Sequence, residues 1–189
     1  MKTAIKLFTL IFIFTISSNV FSQSQDDMKA WMEYMTPGPV HEMLAKADGE
    51  WTGEVTMWMS PDAPPMKSVS SAVNKMIMGG RYQLSEHKGS MMGMPFEGMS
   101  ITGYDNASKM IVNTWIDNMG TGILSVKGPL DEATKSCTMT GTMTDPLTGK
   151  ESMVKEKFTI IDDNTQKLEM WDSKSGTEQK VMEITFKRK

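Results

Sequence analysis

Ten short runs of alternating apolar and polar residues follow one another from Trp51 to the end of this 189-residue chain. Alternation with period two places successive side chains on opposite faces of a strand. The runs cover residues 51–59, 67–78, 81–89, 96–105, 109–117, 121–129, 135–144, 151–161, 166–172 and 179–187. Turn-forming residues separate them, as at Gly79-Gly80 and Asp145-Pro146. The pattern predicts ten strands with short connections.

The short links between the predicted strands indicate an antiparallel meander. Such a sheet either closes on itself or folds into two stacked layers, and closure removes the unpaired edges that promote aggregation. The even spacing lacks the long crossings of a Greek key. We therefore expect an all-β fold, a ten-stranded up-and-down barrel over residues 49–189, with a sandwich as the alternative.

Residues 23–48 have a different pattern. Two acids precede Met28, Trp31 and Met32, which recur at helical spacing, and this predicts a short amphipathic helix. A Pro-Gly-Pro break follows, and residues 40–47 predict one or two further helical turns. We expect a short N-terminal helical segment ahead of the barrel.

The first 22 residues are typical of a secretory signal peptide. Two lysines precede an apolar run over residues 7–16, and cleavage is expected between Ser22 and Gln23. A membrane anchor is the alternative, but the run is only half of the ~20 residues that span a bilayer. We expect an exported chain, periplasmic or secreted, with no transmembrane segment.

The charge balance and the single cysteine limit the possible partners and cross-links. The formal charge of −3 becomes −5 after cleavage, because residues 1–22 contain two lysines and no acids. An acidic chain is unsuited to phosphate-rich partners, so we expect no nucleic acid. Cys137 has no partner for an internal disulfide, and a small buried hydrophobe in a strand is favoured over a reactive thiol.

Gly49-Glu50-Trp51, at the start of the first predicted strand, resembles the G-x-W signature of lipocalins, barrels that bind small apolar molecules. The resemblance implies that Trp51 plugs the closed end of the barrel, with Arg188 or Lys187 lying across it. The segments AWMEYMTPGPVHEMLAKADGEWTGEV, GSMMGMPFEGMSITGYDN and VMEITFKRK resemble, more narrowly, a family of bacterial exported proteins known as a domain of unknown function. That family is grouped with the lipocalin-like (calycin) barrels. The resemblance covers residues 30–189 and implies a fold but no activity.

A ten-stranded barrel is wide enough to leave a cavity, and an apolar cavity with a few polar groups suits a small hydrophobic or amphipathic ligand. Alternation in the first strand places Trp51, Val55 and Met57 inward. Candidates from the middle strands, which would orient a ligand if they face inward, are Tyr82, Glu86, Tyr104, Trp115 and Asp117. Outward solvation of the acids is the alternative.

Residues 90–99 contain four methionines together with two glycines and a proline. We expect this loop to close the barrel mouth as an apolar lid, through Met91, Met92, Met94 and Phe96. Thioether sulfurs also select Cu(I), so a copper site at the three methionines is an alternative. Simple hairpin packing is another.

The two histidines have separate expected roles. His87 shares its parity with Arg81 and Gln83, which predicts the outer face; related barrels can bind haem through one histidine, so an axial ligand is the alternative. His41 is expected to cap or pack at the barrel base. We find no H-E-x-x-H, G-x-S-x-G or phosphate-loop motif in the sequence. We therefore predict a non-enzymatic ligand-binding barrel without a resident cofactor; Cu(I) or haem handling and a purely structural or interaction barrel are the alternatives.

Overall fold

The computed structural model of the protein describes residues 25–60, 63–173 and 176–189. Two helices, α1 (Gln25–Met35) and α2 (Pro39–Ala45), precede ten strands. The strands are β1 (Gly49–Met57), β2 (Met66–Ile77), β3 (Tyr82–Met91), β4 (Met94–Asp105), β5 (Met110–Asp117), β6 (Leu124–Asp131), β7 (Ser136–Thr144), β8 (Glu151–Asp162), β9 (Thr165–Asp172) and β10 (Gln179–Arg188). The predicted signal peptide lies outside the described residues.

Each strand pairs antiparallel with the next one in the chain, and β1 pairs with β10 to close the sheet. In that closing pair Trp51 stands opposite Arg188, and Val55 stands opposite Ile184. Closure pairs both edges of the meander, as the even strand spacing implies. The predicted all-β, ten-stranded up-and-down barrel is confirmed.

One end of the barrel is closed by α2 and the tryptophan of β1. Trp51 is only 1% exposed, and its indole N–H donates to the carbonyl of Ala47 at 2.9 Å. His41 is buried as well; its Nδ1 accepts the backbone N–H of Gly38 at 3.0 Å, and its ring meets Tyr104 edge-on. His41 therefore both caps α2 and packs at the barrel base, as expected.

Two clusters of buried side chains form the core. The one at the closed end contains Ala47, Trp51, Ala72 and Phe186. The other lines the inner face of β5–β8 and contains Ile111, Val126, Cys137, Met139 and Val154. Burial raises the pKa of the Cys137 thiol to about 11, so the thiol stays protonated, and its predicted role as a small buried side chain is confirmed.

Helix α1 lies outside the barrel at the closed end. Arg81 donates to the carbonyl of Met35 at 2.7 Å, and the Asn106 amide donates to the carbonyl of Thr36 at 2.8 Å. These bonds tie the end of α1 to the β2–β3 and β4–β5 turns. Neither α1 nor α2 is long and apolar enough to cross a bilayer, and the same holds for every helix in the described ranges.

Candidate functional site

A cavity of about 1690 Å³ occupies the barrel and opens at one end, and side chains of all ten strands contribute to its wall. Trp51 and Leu44 lie at its closed end. The opposite end is bordered by the β3–β4 and β5–β6 connections, which place Met91 and Met119 at the cavity. A void of this size exceeds the ~300–1,000 Å³ of an ordinary small-molecule pocket.

One wall of the cavity is apolar and rich in methionine. It comes from β7–β10, whose strands present inward Met139, Met143, Phe158, Met170, Met182, Ile184 and Phe186. Thioether side chains have three rotatable bonds and adapt to irregular shapes. This wall can therefore repack around apolar groups of different outline.

The facing wall, from β2–β4, is polar. The Gln83 amide donates to the carbonyl of Leu44 at 2.6 Å and so ties β3 to α2. The Ser85 hydroxyl donates its hydrogen to Asn74 Oδ1 at 2.5 Å, and Asn74 Nδ2 donates to the carbonyl of Ala47 at 3.1 Å. These side chains satisfy the carbonyls at the end of α2, which explains why the inner face of β3 is polar.

His87 continues this chain of hydrogen bonds, and its predicted position on the outer face is wrong. Its ring lines the cavity, and its Nε2 atom lies 2.8 Å from the hydroxyl oxygen of Ser85. Because the only hydrogen of that hydroxyl goes to Asn74, Ser85 must accept from Nε2–H, which leaves Nδ1 as an acceptor. Burial lowers the pKa of His87 to about 4, so the ring is neutral at physiological pH.

Trp115 forms an aromatic corner beside His87. Its ring stacks on Phe96 at 6.2 Å between centroids and meets His87 edge-on at 5.1 Å. The indole N–H donates to Asp117 Oδ2 at 2.7 Å, so the carboxylate holds the ring in place. A Cβ at Gly98 would lie 2.4 Å from this ring, so the glycine provides the space that the indole fills.

The structure brings five of the eight predicted lining residues to the cavity wall: Trp51, Val55, Met57, Trp115 and Asp117. Tyr104 points inward beneath the cavity and packs on the β5–β8 cluster and on His41. Tyr82 and Glu86 lie on the outer face instead, Tyr82 being 44% exposed. Gln83, Ser85 and His87 occupy the inner face of β3, so the residues that alternate with them, Tyr82 and Glu86, point outward. The predicted orientation of this strand is therefore reversed, as it is for His87.

The methionine-rich segment forms the tight β3–β4 hairpin. Met91 pairs with Met94, and the turn between them consists of Met92 and Gly93, whose φ angles of 52° and 80° suit a two-residue turn. Met91 and Phe96 border the cavity, whereas Met92 and Met94 are 60% and 51% exposed. The predicted mouth position is therefore seen for Met91 and Phe96.

Glu156 is a cavity residue that the sequence reasoning did not single out. It lies on the inner face of β8, opposite Met139 of β7 and Met170 of β9, and is only 7% exposed. No hydrogen bond or ion pair to its carboxylate is formed within the described ranges. Burial raises its pKa to about 7. The signal was present in the alternation, since Val154 and Phe158, two positions away, are apolar.

The polar side chains of the cavity wall include the neutral His87, the carboxylates of Asp117 and Glu156, and several amides and hydroxyls. No three His, Cys, Asp or Glu side chains are gathered to hold a metal ion anywhere in residues 25–60, 63–173 and 176–189. What the wall can do chemically is orient an amphipathic molecule. Apolar groups fit the methionine wall, and hydrogen-bonding groups meet His87, Asp117 or Glu156.

Comparison with known proteins agrees with the fold and assigns no activity. The barrel is similar to the crystal structure of Rv2717c from M. tuberculosis, with a TM-score of 0.62 over 82% of this chain and 99% of that one. The identity is 14%, so the likeness shows the fold alone. No curated protein matches the chain. A family model described as "Protein of unknown function (DUF1579)" matches residues 36–188. Because that match spans most of the chain, the protein belongs to the DUF1579 family.

Proposed function

We propose that this protein is a non-enzymatic carrier or receptor that binds a small hydrophobic or amphipathic ligand inside its barrel. The observation that supports it is the open interior of about 1690 Å³. Ten strands give a barrel too wide for its own side chains to fill, and a wide barrel serves as a container. A barrel with only a structural role gains nothing from an unfilled core, because unfilled space forfeits packing energy.

The distribution of side chains supports an amphipathic guest. The methionine-rich wall of β7–β10 offers adaptable apolar surface, whereas β3 and β5 present His87, Trp115 and Asp117. A few convergent polar groups in an apolar pocket fix the orientation of a ligand. Met91 and Phe96 border the mouth, where an apolar rim admits such a molecule.

We propose further that the protein acts outside the cytoplasm after removal of residues 1–22. The support is the sequence alone: an apolar run preceded by lysines and followed by small polar residues. Intact-mass measurement of the protein recovered from its own host tests this. A chain beginning at Gln23 is expected, and a chain that retains residues 1–22 overturns it.

Native mass spectrometry of protein purified without detergent from its own host tests the binding function. We expect a population heavier than the polypeptide by one small molecule, which organic extraction releases. A chain found at the bare polypeptide mass from every preparation, together with a crystal structure whose interior is filled by side chains, would contradict the proposal.

Haem binding is a second candidate, favoured by the inward position of His87. A neutral imidazole in a roomy cavity is the form that ligates haem iron. Its Nε2 is engaged with Ser85, so iron would have to bind Nδ1 or displace that hydrogen bond. Titration with haemin separates the candidates: a stoichiometric Soret shift that disappears in His87→Ala supports haem, and unchanged spectra dismiss it.

A further inference from the structure

The Glu156 carboxylate lines the cavity and has no hydrogen-bond or ion-pair partner among the described residues. Its side chain is buried between Met139 and Met170, and no donor reaches it from the described part of the chain. A carboxylate removed from water without a hydrogen bond or counter-ion is strongly destabilised. A ligand that brings a donor or a positive charge to this point would relieve that cost.

The side chains around Glu156 within the described residues do not supply a partner for its carboxylate. The strands on either side present inward Cys137 and Met139 from β7, and Gln166 and Met170 from β9. The other titratable side chains around the cavity are His87, Asp117, Asp172, Lys135 and Lys180. His87 lies on β3, five strand positions from β8 in either direction around the barrel, so it faces Glu156 from the opposite wall.

The two lysines that border the cavity are not available as counter-ions within it. Lys180 lies 2.5 Å from carboxylate oxygens of both Glu169 and Glu183. Lys135 is exposed at the β6–β7 turn. An anionic head group would thus find no buried, unpaired cation among the described residues of the lining, but would find the Glu156 carboxylate.

Two further titratable groups of the lining, His87 and Asp117, also accept hydrogen bonds. His87 holds its proton on Nε2 and presents Nδ1, and the Asp117 carboxylate accepts from the Trp115 indole and from the backbone N–H of Met119. A guest that donates hydrogen bonds or carries a positive charge complements these ionisable groups, whereas the neutral side chains of the lining, such as Gln166, can both donate and accept.

We propose that the cavity selects amphipathic amines, whose ammonium group pairs with the Glu156 carboxylate while the hydrocarbon part lies on the methionine-rich wall. This inference rests on the ligand-binding function proposed above and names the class of ligand. It sets this barrel apart from a carrier of fatty acids, whose carboxylate would repel Glu156.

Calorimetric titration with three amphiphiles of the same chain length tests the selection: dodecylamine, dodecanol and dodecanoate. We expect the amine to bind at least about tenfold more tightly than the alcohol, and the acid to bind most weakly. Glu156→Gln should abolish this preference, so that the amine and the alcohol bind with about equal affinity. Glu86→Gln, which removes an exposed carboxylate from the outer face of β3, is the matched control and should leave the preference intact.

The pH dependence provides a readout that a structural effect of the substitution would not produce. In the folded, ligand-free protein the pKa of Glu156 is about 7. Its ionised fraction therefore rises between about pH 6 and about pH 8, while the amine stays protonated. Amine affinity should therefore increase about tenfold over that range in the wild type and stay flat in Glu156→Gln. His87, with a pKa of about 4, remains neutral throughout and contributes no slope.

The outcomes distinguish this inference from the function on which it rests. Dodecanoate binding as tightly as dodecylamine, or a preference that survives Glu156→Gln, overturns the amine selection and leaves ligand binding standing. The same holds if no amphiphile binds while the uncharged dye Nile red saturates the protein at one equivalent. Failure of both dye and amphiphiles to bind overturns the two proposals together.

Discussion

The guanidinium group of Arg188 lies over the indole ring of Trp51, with its central carbon 4.4 Å from the ring centroid. Its terminal nitrogens donate to the carbonyl of Asp48 at 2.7 Å and to that of Lys46 at 2.5 Å. The last strand thus clamps the residues that lead from α2 into β1. This is the arrangement implied by the G-x-W resemblance, with Arg188 rather than Lys187 in the role.

Replacing Arg188 with alanine should lower the free energy of unfolding by about 3 kcal/mol, because the cation–π contact and all three side-chain hydrogen bonds disappear, including the one from Nε to the carbonyl of Asp163 at 3.2 Å. Arg188→Lys keeps the charge but not the planar fork and should lose about half as much. Lys187→Ala is the control, since Lys187 is exposed and donates a hydrogen bond to the Thr165 hydroxyl rather than to the segment between α2 and β1. Urea unfolding of the three variants measures the effect, and equal losses for Arg188→Ala and Lys187→Ala would contradict it.

Gly128→Ala should destabilise the barrel by about 3 kcal/mol. A Cβ at this position would lie 1.9 Å from the backbone oxygen of Thr138, and backbone atoms of the neighbouring strand have no freedom to move aside. Gly120→Ala is the matched control, because a Cβ there meets nothing within 4 Å. Thermal melts of both variants provide the test; a melting temperature for Gly128→Ala equal to that of Gly120→Ala would show that β6 and β7 are not in such close contact.

Ser152→Ala should raise the free energy of unfolding by about 1 kcal/mol. The Ser152 hydroxyl is buried on β8 and has no hydrogen-bond partner in the described structure, so its removal relieves a desolvation cost. Ser136→Ala is the contrasting variant, because the Ser136 hydroxyl is also buried but bonds to Thr134 at 2.8 Å. Chemical denaturation should move the two variants in opposite directions. Destabilisation by Ser152→Ala as large as that by Ser136→Ala would mean that Ser152 has a partner.

The buried Glu156 makes stability depend on pH. Its pKa is raised in the folded state from an ordinary value near 4.5 to about 7, so the folded protein holds this proton more tightly than the unfolded chain does. The stability contributed by the protonated carboxyl is fully present below about pH 4.5 and is lost as pH rises through about 7. Across that pH range, the free energy of unfolding of Glu156→Gln should rise by about 3 kcal/mol relative to that of the wild type.

His87 acts in the opposite direction. Its pKa is lowered in the folded state from 6.5 to about 4, so the stability of the neutral ring is present above about 6.5 and is lost as pH falls through about 4. Comparing Glu156→Gln with the wild type at each pH cancels the His87 contribution. A constant difference between the two proteins from about pH 5 to about pH 8 would contradict the buried position of Glu156.

The number of strands, their order and the closure of the barrel could be predicted because the period-two alternation is read locally and the turn residues mark each break. Trp51 and Arg188 followed from the resemblance. Orientation was harder in β3, where apolar Tyr82 and Leu84 suggested the inner face. Apolar residues do not mark the inner face where a strand lines a polar part of a cavity. In β3 the carbonyl groups at the end of α2 require hydrogen-bond donors from inside the barrel, and Gln83 supplies one.

The inward position of Glu156 was not predicted from the sequence, for a related reason. It stands between Lys155 and Lys157, and a run of charges usually indicates a solvated surface. Alternation separates them: Lys155 lies over the Trp171 ring on the outer face, with its nitrogen 4.5 Å from the ring centroid, whereas Glu156 points inward. The apolar residues two positions away, Val154 and Phe158, mark the inner face of this strand, but the charges at positions 155–157 hide that signal when they are considered alone.

Titration with Nile red of the wild type and of two methionine variants tests the central claim most directly, because it asks whether the barrel interior accepts a guest. Met182→Trp places a large ring in the cavity, whereas Met153→Trp places the same ring on the outer face of β8. The account predicts saturable binding at one equivalent for the wild type and Met153→Trp, and an affinity at least about tenfold lower for Met182→Trp. Equal binding by all three folded proteins, or no binding by the wild type, would contradict it.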